Sequence, residues 1–146
     1  MTMMFWDASA IIPLCVTEKY SNIMKKLLTE DPLMAVWWGT PLECYSTFAR
    51  LLRDCIINSQ EEQKAKKPLD KLTDIWTEIN PSYDIRDQAI RLISVHPLKA
   101  ADSLQLAAAI IWSGKSPKDY HFVCLDKKLR EAALKEGFTI VPLNIE

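Results

Sequence analysis

The sequence predicts an α/β fold, a parallel sheet with helices on both faces, and three observations carry that expectation. Short apolar runs of strand length alternate with longer helical patterns, the order that builds parallel sheets. The runs at residues 3–6, 33–38 and 121–125 are nearly continuous in large apolar side chains, as in strands covered on both faces. Two of them stop at an acid, Asp7 and Asp126. That is the carboxyl end of a core strand, where open α/β sheets bind ligands.

The elements follow in order. Residues 3–6 are the first strand, and Ser9 opens a helical pattern that runs to about residue 16. The pattern resumes over 20–28, with Ile23 and Leu27 at helical spacing, and Asp31 with Pro32 ends it. Residues 33–38 form a second buried strand closed by Gly39. Its two tryptophans should point opposite ways, Trp37 or Trp38 inward and the other free for a base or a partner. Thr40, Pro41 and Glu43 then occupy the N-cap, N1 and N3 places of a capping box, starting a helix over about 41–57.

The polar stretch 58–67 reads as a solvated connection or a helix start. Pro68 is then in the first turn of a helix carrying Leu69, Leu72, Ile75 or Trp76, and Ile79, stopped by Asn80 and Pro81. Residues 83–85 read as a brief edge strand and 87–95 as a short helix. From Leu98 to Trp112 the sequence is helical and apolar nearly all round, with Gly114 as its stop. Residues 121–125 are a further strand, 127–135 a helix closed by Gly137, and 138–141 a last strand.

A chain of 146 residues is the length of one domain, expected to span residues 1–146. With 49 % hydrophobic and 25 % charged residues it can bury a core without disulfides or structural metal. The net charge of −1 does not point to a nucleic-acid partner. Yet 18 basic residues face 19 acidic ones, so withdrawing a few acids into a cation site leaves a slightly basic remainder. Cys15, Cys44, Cys55 and Cys124 show no metal spacing and read as buried small hydrophobes in a reducing, cytoplasmic setting. No basic residue precedes the apolar start, which argues against a signal peptide, and no run reaches the length of a membrane span.

Four acids occupy related places. Asp7 and Asp126 end strands, Glu43 lies in the first turn of a helix that follows a strand, and Asp102 lies near the start of the helix before the Asp126 strand. Parallel neighbouring strands would bring all four to one edge of the sheet. Carboxylates held together repel and raise one another's pKa, so a positive partner is expected. A set of oxygens without His or Cys suits Mg²⁺ or Mn²⁺ and argues against zinc. Such a site suits phosphodiester hydrolysis by a metal-activated water, with one or two ions. Ser9, two residues after Asp7, is placed to orient it or to hydrogen-bond a metal water or phosphate. Capping accounts for Glu43, and an ordinary strand-to-helix turn for Asp126; Asp102 has no such ready explanation.

These residues resemble a PIN domain. FWDASAIIPL resembles the family's opening strand and acid with a hydroxyl residue two positions on, and TPLECYSTFARLL the helix that carries its glutamate. LKAADSLQLAAAI is the closest match, and FVCLDKKLREAALKEGFTIV resembles the closing acid, helix and strand. The resemblance implies a three-layer fold with about five parallel strands in the order 3-2-1-4-5. It implies a metal-dependent ribonuclease similar to the VapC-like toxins of toxin–antitoxin pairs, acting on RNA, held by a small antitoxin and forming a homodimer. Asp7, Asp102 and Asp126 would be metal ligands, directly or through water, and Glu43 a ligand or a water-orienting base. Arg50, Arg53, Lys99, Lys127 and Lys128, neighbours of the acids, are candidates for RNA phosphates.

Two other enzyme classes fit less well: a haloacid-dehalogenase-like phosphatase needs a second Asp where Ser9 stands, and a receiver domain needs a lysine where Asp126 stands. A PIN-like binding module with silent carboxylates is the competing non-enzyme reading.

Overall fold

The computed structural model describes residues 2–145. The elements in chain order are β1 (Met4–Trp6), α1 (Ala8–Cys15), α2 (Ser21–Glu30), β2 (Met34–Trp37), α3 (Thr40–Arg53) and α4 (Ser59–Thr73). After them come β3 (Thr77–Ile79), α5 (Tyr83–Val95), α6 (Ala100–Trp112), β4 (His121–Val123), α7 (Lys127–Glu136) and β5 (Thr139–Val141). The five strands form one parallel sheet in the order β3-β2-β1-β4-β5. Phe5 pairs with Ala35 on one side and Phe122 on the other, so β1 lies at the centre.

Strand alternation divides the core in two. Phe5, Ala35, Trp37 and Phe122 face one way and pack with Leu92 of α5, Leu106 and Ile110 of α6, and Leu129 of α7. Met4, Trp6, Met34, Val36 and Val123 face the other way and pack with Ile11 of α1, Met24 of α2, Phe48 of α3 and Leu69 of α4. This is a three-layer arrangement, four helices on one face and three on the other. Phe5, Trp6 and Phe122 are wholly inaccessible to solvent, and full burial of side chains this large is worth roughly 1.5–3 kcal/mol each. Ala107, Ala108 and Ala109, all fully buried, let α6 pack closely with small side chains around most of its circumference.

Several expectations need correcting. The helix expected to run through Ile79 ends at Thr73, and Thr77–Ile79 is the edge strand beside β2. Tyr83–Ile85 is not a strand but the first turn of α5, because the Ser82 hydroxyl accepts the Ile85 N–H at 3.1 Å and starts a helix. Residues 58–67 are helical. Asn58 and Glu61 form a reciprocal capping box there, with bonds of 2.9 and 3.0 Å, and Pro68 falls inside the helix instead of in its first turn.

The capping box expected at Thr40 and Glu43 does not form: α3 starts one residue earlier, with Gly39 as its cap and no side-chain cap bond. Gly39 is confined by Trp37, whose Nε1 would lie 2.6 Å from any Cβ added there. Trp37 is buried and Trp38 is 55 % exposed, opposite ways as expected. Cys44 and Cys124 are buried, but Cys15 is half-buried and Cys55 is exposed beyond the end of α3. Among the described residues no helix is long and apolar enough to cross a membrane.

Candidate active site

The strand order reverses direction between β1 and β4, and in a doubly wound sheet the crevice outside the carboxyl ends at that point is the natural ligand site. Asp7 leaves β1 there, its N–H bonded to the Val123 carbonyl of β4 at 3.0 Å. It also caps α1, its Oδ2 accepting the Ser9 N–H at 3.2 Å. The same oxygen accepts the Ser9 hydroxyl and the Cys124 thiol, the thiol at 3.3 Å. Ser9 Oγ accepts the Leu125 N–H at 2.9 Å, so both β1 and β4 hold this carboxylate in place. Burial pushes Asp7 up to about 6, with Asp102 adding to the rise and the Ser9 and Cys124 hydrogen bonds opposing it. The Cys124 thiol is itself pushed well up by burial and by Asp7, so it remains a donor.

The other three acids come from helix starts. Glu43, in the first turn of α3, accepts the Gln105 amide through Oε2 at 2.7 Å. Burial raises it to about 7; the Gln105 bond lowers it, and Asp7 and Asp102 raise it further. Asp102 sits in the first turn of α6, raised by burial and by Asp126 and lowered by Lys99. Asp126 caps α7, its Oδ1 accepting the Leu129 N–H at 2.9 Å.

All four line one cleft of about 390 Å³ with Ser9, Thr47 and Arg50. Glu43, Thr47 and Arg50 follow one another along one face of α3, so the helix leads from the acids to a cation at the rim. Arg50 is the one basic residue in that lining. Lys99 is the cap of α6 and acts on Asp102, while Arg53, Lys127 and Lys128 are exposed outside the cleft.

Three contributors were not recognised as such in the sequence. Cys124 looked like a core residue and Thr40 like a helix cap; Gln105 drew no attention, although a glutamine amid the apolar residues of α6, one turn after Asp102, was a visible anomaly.

The donor set is four carboxylates, of which Asp7, Glu43 and Asp102 are pushed up first by burial and then by the charge of neighbouring acids. Its oxygen chemistry and unmet negative charge fit a hard divalent cation. Among the described residues, no three His, Cys, Asp or Glu side chains stand as a ready-made metal cluster.

No protein-family model and no curated protein matches the sequence. Solved structures match its fold. The chain is similar to a toxin–antitoxin complex from Klebsiella pneumoniae (TM-score 0.63, 20 % identity, 93 % of this chain and 96 % of that one). It is also similar to VapC20 of Mycobacterium tuberculosis, described as a sarcin-ricin loop cleaving toxin (TM-score 0.65, 15 % identity, 90 % and 95 %). The chain has the PIN-like fold. Another similar structure is VapBC2 from Rickettsia felis bound to a DNA fragment from its promoter (TM-score 0.64, 13 % identity, 95 % and 97 %). In each comparison the likeness extends over nine-tenths or more of both chains.

Proposed function

We infer that this chain is a metal-dependent endoribonuclease, the toxin of a toxin–antitoxin pair. The observation that carries the reading is the meeting of Asp7, Glu43, Asp102 and Asp126 around one cleft at the switch point of the sheet. The toxins that share the fold support it, one of them described as cleaving the sarcin-ricin loop.

Asp7, Asp102 and Asp126, with Glu43, would hold one or two Mg²⁺ or Mn²⁺ ions, which supply a water of lowered pKa and positive charge against the phosphate. Glu43 would act as a ligand or as a base that orients the attacking water. Asp7 is held by Ser9 and Cys124 through one oxygen, which leaves Oδ1 for the ligand and keeps the acid from swinging away. Arg50 at the rim would meet a phosphate of the RNA; Lys99, Arg53, Lys127 and Lys128 are exposed sequence neighbours of the acids and further candidates for such contacts. The exposed Trp38 offers a stacking surface.

The partners of this reading are an antitoxin chain and a second copy of the toxin. Tyr83, Ile90 and Ile93, exposed at helical spacing on α5, are apolar side chains that a partner would cover.

The test is a structured RNA pool incubated with the protein in Mn²⁺, beside an EDTA control and Asp7→Asn. Discrete cuts that need both the metal and Asp7 are the expected outcome. Absence of cutting together with absence of a metal-dependent rise in melting temperature would replace the enzyme with a silent binding module.

A further inference from the structure

Gln105 lies on α6 one turn after Asp102 and is fully buried. A buried amide is unfavourable unless both its ends are met. Here only one end is. Nε2 donates to Glu43 Oε2 at 2.7 Å and to Thr40 Oγ1 at 3.0 Å, both in the first turn of α3, while Oε1 has no partner. Methionine would fill nearly the same space with no unmet acceptor, so packing gives no reason for an amide at this position. Turning the amide over would set Oε1 against an acceptor oxygen of ionised Glu43, so the neighbours fix its orientation.

We propose that Gln105 is a positioning residue of the carboxylate cleft, whose amide grips Glu43 by Oε2 and sets how that acid stands against Asp102 on the same helix. The grip leaves the second oxygen of Glu43 to serve the cleft. It also makes α6 the bearer of two functions, one acid of its own and the clamp on another. Thr40 takes the remaining N–H of the amide and steadies it. The proposal rests on the metal-dependent reading of the cleft given above.

Gln105→Met removes the donors and the unmet acceptor together while keeping the side chain's length. Its melting temperature without metal should stay within about 2 °C of the parent, since an unmet acceptor is lost along with the bonds. The Mn²⁺ concentration giving half of the metal-induced melting shift should rise by about tenfold or more, the loss expected for one hydrogen bond to a charged group. RNA cleavage should show the same tenfold displacement along the Mn²⁺ axis and recover in excess metal. In a Glu43→Gln background the same change should add less than about twofold, because the two residues act as one unit.

A Gln105→Met protein with the parent's Mn²⁺ dependence, or with an effect undiminished by Glu43→Gln, would overturn the assignment and leave the nuclease reading intact. A parent protein with no Mn²⁺ shift would overturn both. Gln105→Leu, equally without donors, reads the same outcomes if the methionine variant does not fold.

Discussion

Asp7 is 3 % exposed, and its charge is opposed by burial and by Asp102. Its folded pKa, about 6 against an ordinary 3.8, means the folded chain keeps this proton to a higher pH than the unfolded chain does. The stability linked to it is therefore fully present below pH 3.8 and is lost as pH rises through about 6. At pH 7.5 the ionised side chain disfavours folding by on the order of 3 kcal/mol. Asp7→Asn keeps an acceptor for Ser9 and Cys124 but removes the charge. In EDTA it should stabilise the protein by about 1–3 kcal/mol at pH 7.5 and by nearly nothing at pH 4. Urea denaturation at the two pH values checks this, and an equal effect at both would contradict it.

Residues also mark the limit of what was legible. Asp7, Asp102 and Asp126 stand out because acids interrupt apolar runs. Glu43 was named with them but had a competing explanation, since Thr, Pro and Glu at those spacings spell a capping box, whereas the structure gives both Thr40 and Glu43 to Gln105. No spacing rule announces a long-range clamp from α6 to α3. Cys124 is similar: its apolar neighbours describe its burial and say nothing of the oxygen it faces.

Among elements, β1, β2, β4 and β5 were readable because each is an apolar run bounded by breakers. The edge strand β3 was not. Leu72, Ile75, Trp76 and Ile79 repeat at helical spacing across a boundary that the chain resolves by pairing Thr77–Ile79 with β2. Its neighbour α5 looked like a strand at Tyr83–Ile85 until the Ser82 cap is considered.

The far end of α5 is fastened to α7. Arg91 Nη2 donates to Glu136 Oε1 at 2.5 Å and His96 Nε2 to Glu136 Oε2 at 2.7 Å, with His96 buried. Burial alone would raise Glu136, but the bonds from Arg91 and His96 outweigh it and hold its carboxyl below the usual range. A depressed folded pKa contributes stability above the unfolded value, lost as pH falls through the folded one. Glu136→Gln should thus lower stability by about 1–2 kcal/mol at pH 7, a difference that shrinks as pH falls below the ordinary 4.5 of a glutamate. Thermal melts across that range check it, and a difference independent of pH would contradict the ion-pair account.

At the scale of the whole molecule, the parallel alternation of strands and helices was legible, while the order 3-2-1-4-5 came with the family resemblance and is the order the sheet has. That order is what brings together acids far apart in the chain. β1 and β4 are neighbours, so Asp7 and Asp126 leave adjacent strands, and the helices on the two faces deliver Glu43 and Asp102 from opposite sides. The near-neutral net charge hides this. Four acids withdrawn into one cleft leave a surface with a slight excess of basic residues, compatible with an anionic substrate.

The central claim is that these four carboxylates are one cation site. Calorimetric titration of Mn²⁺ into the parent protein, Asp7→Asn and Asp102→Asn tests it most directly. The account predicts binding by the parent that weakens by about tenfold or more in each variant, one acid from the end of β1 and the other from α6. Binding of equal strength in all three proteins would contradict it.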